Sequence, residues 1–82
     1  PLLAWDRVDG AERYSLTLTE PDGAVYWAWN GASAAIWLGG LHDEPPPDAA
    51  GPVLLDELVM VVVAFDASDT IIAASTPTVI AP

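Results

Sequence analysis

The sequence predicts an all-β sandwich, and three observations carry that reading. Tyr14, Leu16 and Leu18 alternate strictly with Arg13, Ser15, Thr17 and Thr19; Leu58, Met60, Val62 and Ala64 alternate within a Val-rich run that closes on Phe65-Asp66; and these runs are separated by turn dipeptides. Alternation sends successive side chains to opposite faces of a strand, and several short strands between turn signals indicate a sandwich or barrel. The chain of 82 residues makes one domain, residues 1–82, near the size at which apolar burial only just exceeds the conformational entropy lost on folding. With no cysteine to cross-link it, the domain depends on packing of its four Trp, two Tyr and the Val, Leu and Ile set.

Each element has a local reason. Leu2 to Arg7 is a short strand closed by Asp9-Gly10, a turn dipeptide whose glycine tolerates positive φ. Glu12 to Thr19 alternates over its whole length and leads into Glu20-Pro21-Asp22-Gly23, where proline presets one dihedral and glycine relieves the last, giving a hairpin. Ala24 to Trp29 returns, with Val25, Trp27 and Trp29 on one face and Ala24, Tyr26 and Ala28 on the other, and Asn30-Gly31 ends it. Ala34 to Leu38 offers Ile36 and Leu38 to the core and stops at Gly39-Gly40. From His42 to Pro52 four prolines, one glycine and three acids cannot sustain a hydrogen-bond ladder, so residues 42–52 are expected to form an exposed, mobile loop. Leu58 to Phe65 is the strongest strand, and Thr70 to Ser75 follows the Ala67-Ser68-Asp69 turn. No helix is required, because Gly51-Pro52 interrupts the one segment, Asp48 to Leu58, that could be drawn as a turn or two. The in-phase positions Trp5, Tyr14, Leu16, Leu18, Ile36, Leu38, Met60 and Val62 form the expected core.

Charge and composition exclude several functions. Two Arg, no Lys and twelve acids give a net charge of -10, which repels phosphate backbones, so no nucleic-acid partner is expected. The longest apolar stretch, Val53 to Phe65, is broken by Asp56-Glu57 and falls short of the roughly 20 residues that span a bilayer, so no membrane insertion is expected. The chain opens on Pro1 and has no basic segment followed by an apolar run and cleavage site, and is read as an excerpt of a longer polypeptide. Asp43, Glu44, Asp48, Asp56 and Glu57 lack the alternating spacing of a calcium loop, and a single histidine, His42, without cysteine cannot build a zinc site. His42 has no nucleophile elbow to serve. The expectation is therefore no enzyme, no catalytic residue, no metal and no cofactor.

Trp5, the run Tyr14-Ser15-Leu16-Thr17-Leu18, Leu38 with Leu41, the Leu58 to Ala64 strand and Ser75 together resemble a fibronectin type III-like domain. Gly10-Ala11-Glu12-Arg13-Tyr14 followed by Asp22-Gly23-Ala24-Val25-Tyr26-Trp27 is similar to the variant found in bacterial envelope proteins. The resemblance implies an immunoglobulin-like sandwich of six to seven strands, with 2–7 as strand B, 12–19 as C, 24–29 as C', 34–38 as E, 58–65 as F and 70–76 as G. Strand A has no counterpart, and Leu58 stands where the family usually places a tyrosine that anchors the turn before F. The resemblance further implies an extracytoplasmic protein, either a noncatalytic interaction or spacer module, or the sensor domain of a membrane-anchored regulator such as an anti-sigma factor.

The Leu58 to Phe65 strand is apolar on both faces, whereas a sandwich buries only one. With Leu58, Met60, Val62 and Ala64 inward, Val59, Val61, Val63 and Phe65 face outward and, beside Tyr26 and Ala28, make a patch of roughly a few hundred Å2, the size that marks contact surfaces. The partner is a neighbouring domain or a second copy, unless another segment such as the Pro-rich loop covers the row. Trp27, Trp29 and Trp37 fall within eleven residues. The first two are expected inside, which leaves Trp37 as the exposed ring: a member of the interaction surface, but too little for a carbohydrate platform.

Overall fold

The structure, a computed structural model, describes residues 2–39, 49–53 and 56–81. They form eight strands: β1 Leu2–Ala4, β2 Arg13–Thr19, β3 Val25–Gly31, β4 Ala35–Gly39, β5 Ala49–Val53, β6 Leu58–Phe65, β7 Ile71–Ala74 and β8 Thr78–Ile80. The fold is all-β, with no helix among the described residues. One sheet runs β1-β4-β5; the other runs β3-β2-β6-β7, with β8 also paired to β6.

The second sheet is built around β2 and β6, which pair antiparallel from Arg13↔Phe65 to Thr19↔Val59 without a break in register. That register points Tyr14, Leu16 and Leu18 the same way as Ala64, Val62 and Met60. All of these but Met60 are buried, and together with Leu58 they meet Leu3, Ile36 and Leu38 of the first sheet in one core. Trp5, Trp27, Trp29 and Met60 are half-buried and pack against that core. The ring of Trp5 meets those of Tyr14 and Trp29 edge-on, at centroid distances of 5.8 and 5.9 Å. Tyr14 also fastens the turn ahead of it, since its hydroxyl accepts the Val8 N–H at 3.0 Å.

Both hairpins of this sheet use a three-residue loop ending in a left-handed residue, a geometry that suits the twist of antiparallel strands. In the β2–β3 loop that residue is Gly23, φ 94°, and the Asp22 carboxylate accepts the Ala24 N–H. In the β6–β7 loop it is Asp69, φ 61°, and the Asp66 carboxylate accepts the N–H groups of Ser68 and Thr70.

Three expectations are corrected. Residues 49–53, assigned to the mobile loop or to a helical turn, form β5, parallel to β4 with Trp37↔Ala49 and Leu38↔Gly51; residues 42–48 lie outside the described residues. Glycine makes this possible: a Cβ at Gly51 would lie 2.5 Å from Leu38 Cδ2 and 2.9 Å from Trp27 Cη2, so its absence lets β5 close on the core. Second, Val25 does not share the inner face of Trp27 and Trp29. A register shift sets Trp27 opposite Leu18 but Val25 opposite Thr19, and Val25 is 66% exposed. Such a bulge turns the strand at the sheet edge. Third, the final strand does not stop at residue 76. It breaks at Ser75-Thr76-Pro77, where the Ser75 hydroxyl takes the Val62 N–H at 2.8 Å in place of a backbone carbonyl, and resumes as β8 beside Leu58 to Met60. The fold thus has two strand segments, β5 and β8, beyond the six assigned from the sequence.

Leu16→Ala should cost about 2–5 kcal/mol of a total of about 5–15 kcal/mol, because Leu16 is fully buried at the centre of the ladder. Gly51→Ala should cost about 1–3 kcal/mol by overpacking. Urea unfolding of the two variants checks both. A Gly51→Ala chain as stable as the parent would mean that β5 does not close on Trp27.

Candidate interaction surface

The outer face of the five-stranded sheet follows from the β2–β6 register. Val59, Val61, Val63 and Phe65 form one outward column on β6, and Thr19, Thr17, Ser15 and Arg13 stand opposite them on β2. All eight are half-buried, as expected for central strands whose neighbours shield them on both sides. On the other side of β6 the column continues into Val79 opposite Val59, Ala74 opposite Val63 and Ile71 opposite Phe65. Val79 is 64% and Ile71 60% exposed, so the open part of the apolar surface lies on β7 and β8.

This geometry revises the set read from the sequence. Tyr26 and Ala28 do not sit beside the valine row, because β2 intervenes with its hydroxyl column, and two strand spacings separate them by roughly 10 Å. Tyr26, 38% exposed, lines the far margin of the face. Trp37 is not on this face at all. It belongs to β4, beside Leu2 of β1, and since Ile36 and Leu38 are buried between the sheets it points from the opposite side of the sandwich. The sequence reading missed Val79, Ala74 and Ile71. The alternation of Thr78-Val79-Ile80, beyond the strand assigned to 70–76, was the available signal.

Phe65 is the covered end of the column. The Arg13 guanidinium lies 4.0 Å from the centre of its ring, donates to Asn30 Oδ1 at 2.8 Å and reaches Asp69 Oδ1 at 3.4 Å. The β6–β7 loop makes this arrangement possible by holding Asp69 in its left-handed conformation. A cation over an aromatic face gains from the ring quadrupole, while an exposed ion pair contributes little. The opposite end of the sheet is anionic: Glu20, Asp22, Asp56 and Glu57 surround an open hollow of about 760 Å3 with Tyr26 on its wall. The apolar column therefore runs from an arginine clamp to an acidic rim.

Among the described residues no group of three or more acidic or imidazole side chains is placed to hold a metal ion; His42, Asp43, Glu44 and Asp48 lie outside them. No helix among the described residues is long and apolar enough to cross a membrane. Comparison with protein-family models, with curated proteins and with solved structures finds no match.

Arg13→Ala should cost about 1 kcal/mol and raise the exposure of Phe65, whereas Asp69→Asn should cost less than about 0.5 kcal/mol, because the ring contact outweighs the exposed ion pair. Chemical denaturation of the two variants separates the contributions. Equal losses would assign the stabilisation to the ion pair instead.

Proposed function

We propose that this chain is a noncatalytic protein-interaction or spacer module, a fibronectin type III-like domain of a larger extracytoplasmic protein, that meets its neighbour through the outer face of the five-stranded sheet. The observation that carries the reading is the doubled apolar character of β6, continued by Val79 and Ile71 onto open surface. A lone sandwich gains nothing from a second apolar row, because water contacts that face whether it is Val or Thr. The extracytoplasmic assignment and the family rest on the resemblance carried by Trp5, Tyr14 to Leu18 and the Asp22-Gly23 turn.

Self-association is the direct test of this surface. Two copies at -10 each repel one another most strongly at low salt, where the Debye length is about 30 Å near 0.01 M. Pairing through an apolar face should then tighten as salt screens that repulsion, the reverse of a salt-bridge interface. Val61→Asp and Val79→Asp each place a further carboxylate on the face without entering the core, and should abolish pairing while leaving the β-sheet circular dichroism unchanged. Sedimentation across a salt series measures this. A monomer at every salt and protein concentration together with Val61→Asp losing the fold, or pairing that survives both substitutions, would overturn the reading.

A further inference from the structure

The sandwich is closed at one side and open at the other. Where β3 meets β5, the Trp27 ring fills the gap against Gly51. On the other side, among the described residues, β1 is the edge of its sheet and β7 the edge of the second, and a cavity of about 460 Å3 lies between them. Ala4 and Trp5 bound it on the β1 side and Ala73 and Ser75 on the β7 side, with Met60 and Val62 also in its wall.

Two observations say what kind of group this cavity lacks. The first is the backbone. Trp5 N donates to Ala34 O at 3.0 Å, so by antiparallel alternation Leu3 and Trp5 spend their peptide groups on β4 while Leu2 and Ala4 turn theirs to the free edge. Across the cavity, Ser75 N donates to Val62 O, which likewise leaves the peptide groups of Ala74 facing away from β6. The second is the indole of Trp5, whose Nε1 is buried without a hydrogen-bond partner among the described residues. Buried donors in folded proteins are nearly always paired, so this one marks an incomplete wall. A small apolar molecule could fill the volume but could not pair a strand edge. An extended peptide does both, with alternate side chains entering and its backbone continuing the ladder.

We propose that the cleft receives one extended segment of a partner polypeptide, uncharged or cationic, which lies along the free edge of β1 as an added strand and sends alternate apolar side chains into the cavity. The charge follows from the surroundings: Asp6 lies in the cavity wall and the chain carries -10 overall, so an acidic segment would be repelled. The site is distinct from the outer face of the larger sheet, and neither reading depends on the other.

The test uses capped peptides of about eight residues in which Val alternates with Lys and Thr, matched by a version with Glu in place of Lys, titrated into isotopically labelled chain at about 0.15 M salt. The Lys peptide should shift the Ala4 amide and the Trp5 indole N–H, slow hydrogen exchange at Ala4, and bind at least about ten-fold more tightly than the Glu peptide. Ala73→Leu, which fills the cavity from within, should weaken binding by at least about ten-fold with the thermal midpoint unchanged or raised. If that variant does not fold, Ala4→Pro removes the free-edge donor without touching the β4 ladder and should give the same loss. No binding of the Lys peptide at millimolar concentration, equal binding of both peptides, shifts confined to Val61 and Val63, or full binding to the filled variant would each overturn the proposal.

Discussion

Everything in this molecule hangs on the antiparallel pairing of β2 with β6, seven residues long and unbroken. Because side chains alternate with a period of two, this one register decides which of two apolar rows on β6 becomes core. A slip of β2 by a single residue would bury Ser15 and Thr17 and leave Leu16 and Leu18 in water beside Val61 and Val63. The sequence guards against that slip from the β2 side, where the outward row is hydroxyl and guanidinium and the inward row is Tyr, Leu and Leu. β6 contributes little to the choice, since both of its rows are apolar. Its register is dictated by its partner, and the freedom this leaves on its outer face is what makes a contact surface possible.

Specificity of the same kind appears at the loops. The two hairpins share a geometry, yet one spends a glycine on the left-handed position and the other an aspartate. Gly23 serves conformation alone. Asp69 accepts a less favourable backbone and in return presents a carboxylate to Arg13, which spans to Asn30 and shields Phe65. In a chain with only two cations, placing one of them over an aromatic ring at the end of an apolar column keeps the most adhesive side chain of the face covered.

What could be read in advance follows the same physics. The inner rows of β2 and β6, the Asp22-Gly23 turn and the inward placement of Ile36 and Leu38 were legible because alternation and turn chemistry are local. Four features were not, and each depended on a contact made far along the chain. Ala49 to Val53 looks like loop because Gly51-Pro52 breaks any local pattern, but as a strand it needs that glycine for Leu38 and Trp27 to fit. Val25 reads as inward by alternation, and only the bulge opposite Thr19 turns it out. Trp37 was placed with the valine row because exposure can be read from a pattern, whereas which of two sheets a strand joins cannot. β8 lies beyond the strand assigned to 70–76, since Pro77 interrupts the strand locally while the pairing with β6 resumes at Thr78.

The two sides of the sandwich treat their edges differently. Sheet edges are hazards, and this domain manages one of them: β3 is bent by a bulge, and the gap beneath it is closed by an indole seated on a glycine. At the β1 and β7 edges no equivalent ring among the described residues closes the gap, although β7 also carries a register shift at Ile72; Ala73 is too small to fill it, and Trp5 in its wall keeps a buried donor unpaired among the described residues. Alanine at this position is uninformative as core and costly as cover, since a Leu or Val would bury more area at no cost to the strand. Small side chains are what an edge requires if another backbone is to approach it closely, so the same residues that leave this side of the domain unfinished also keep it accessible.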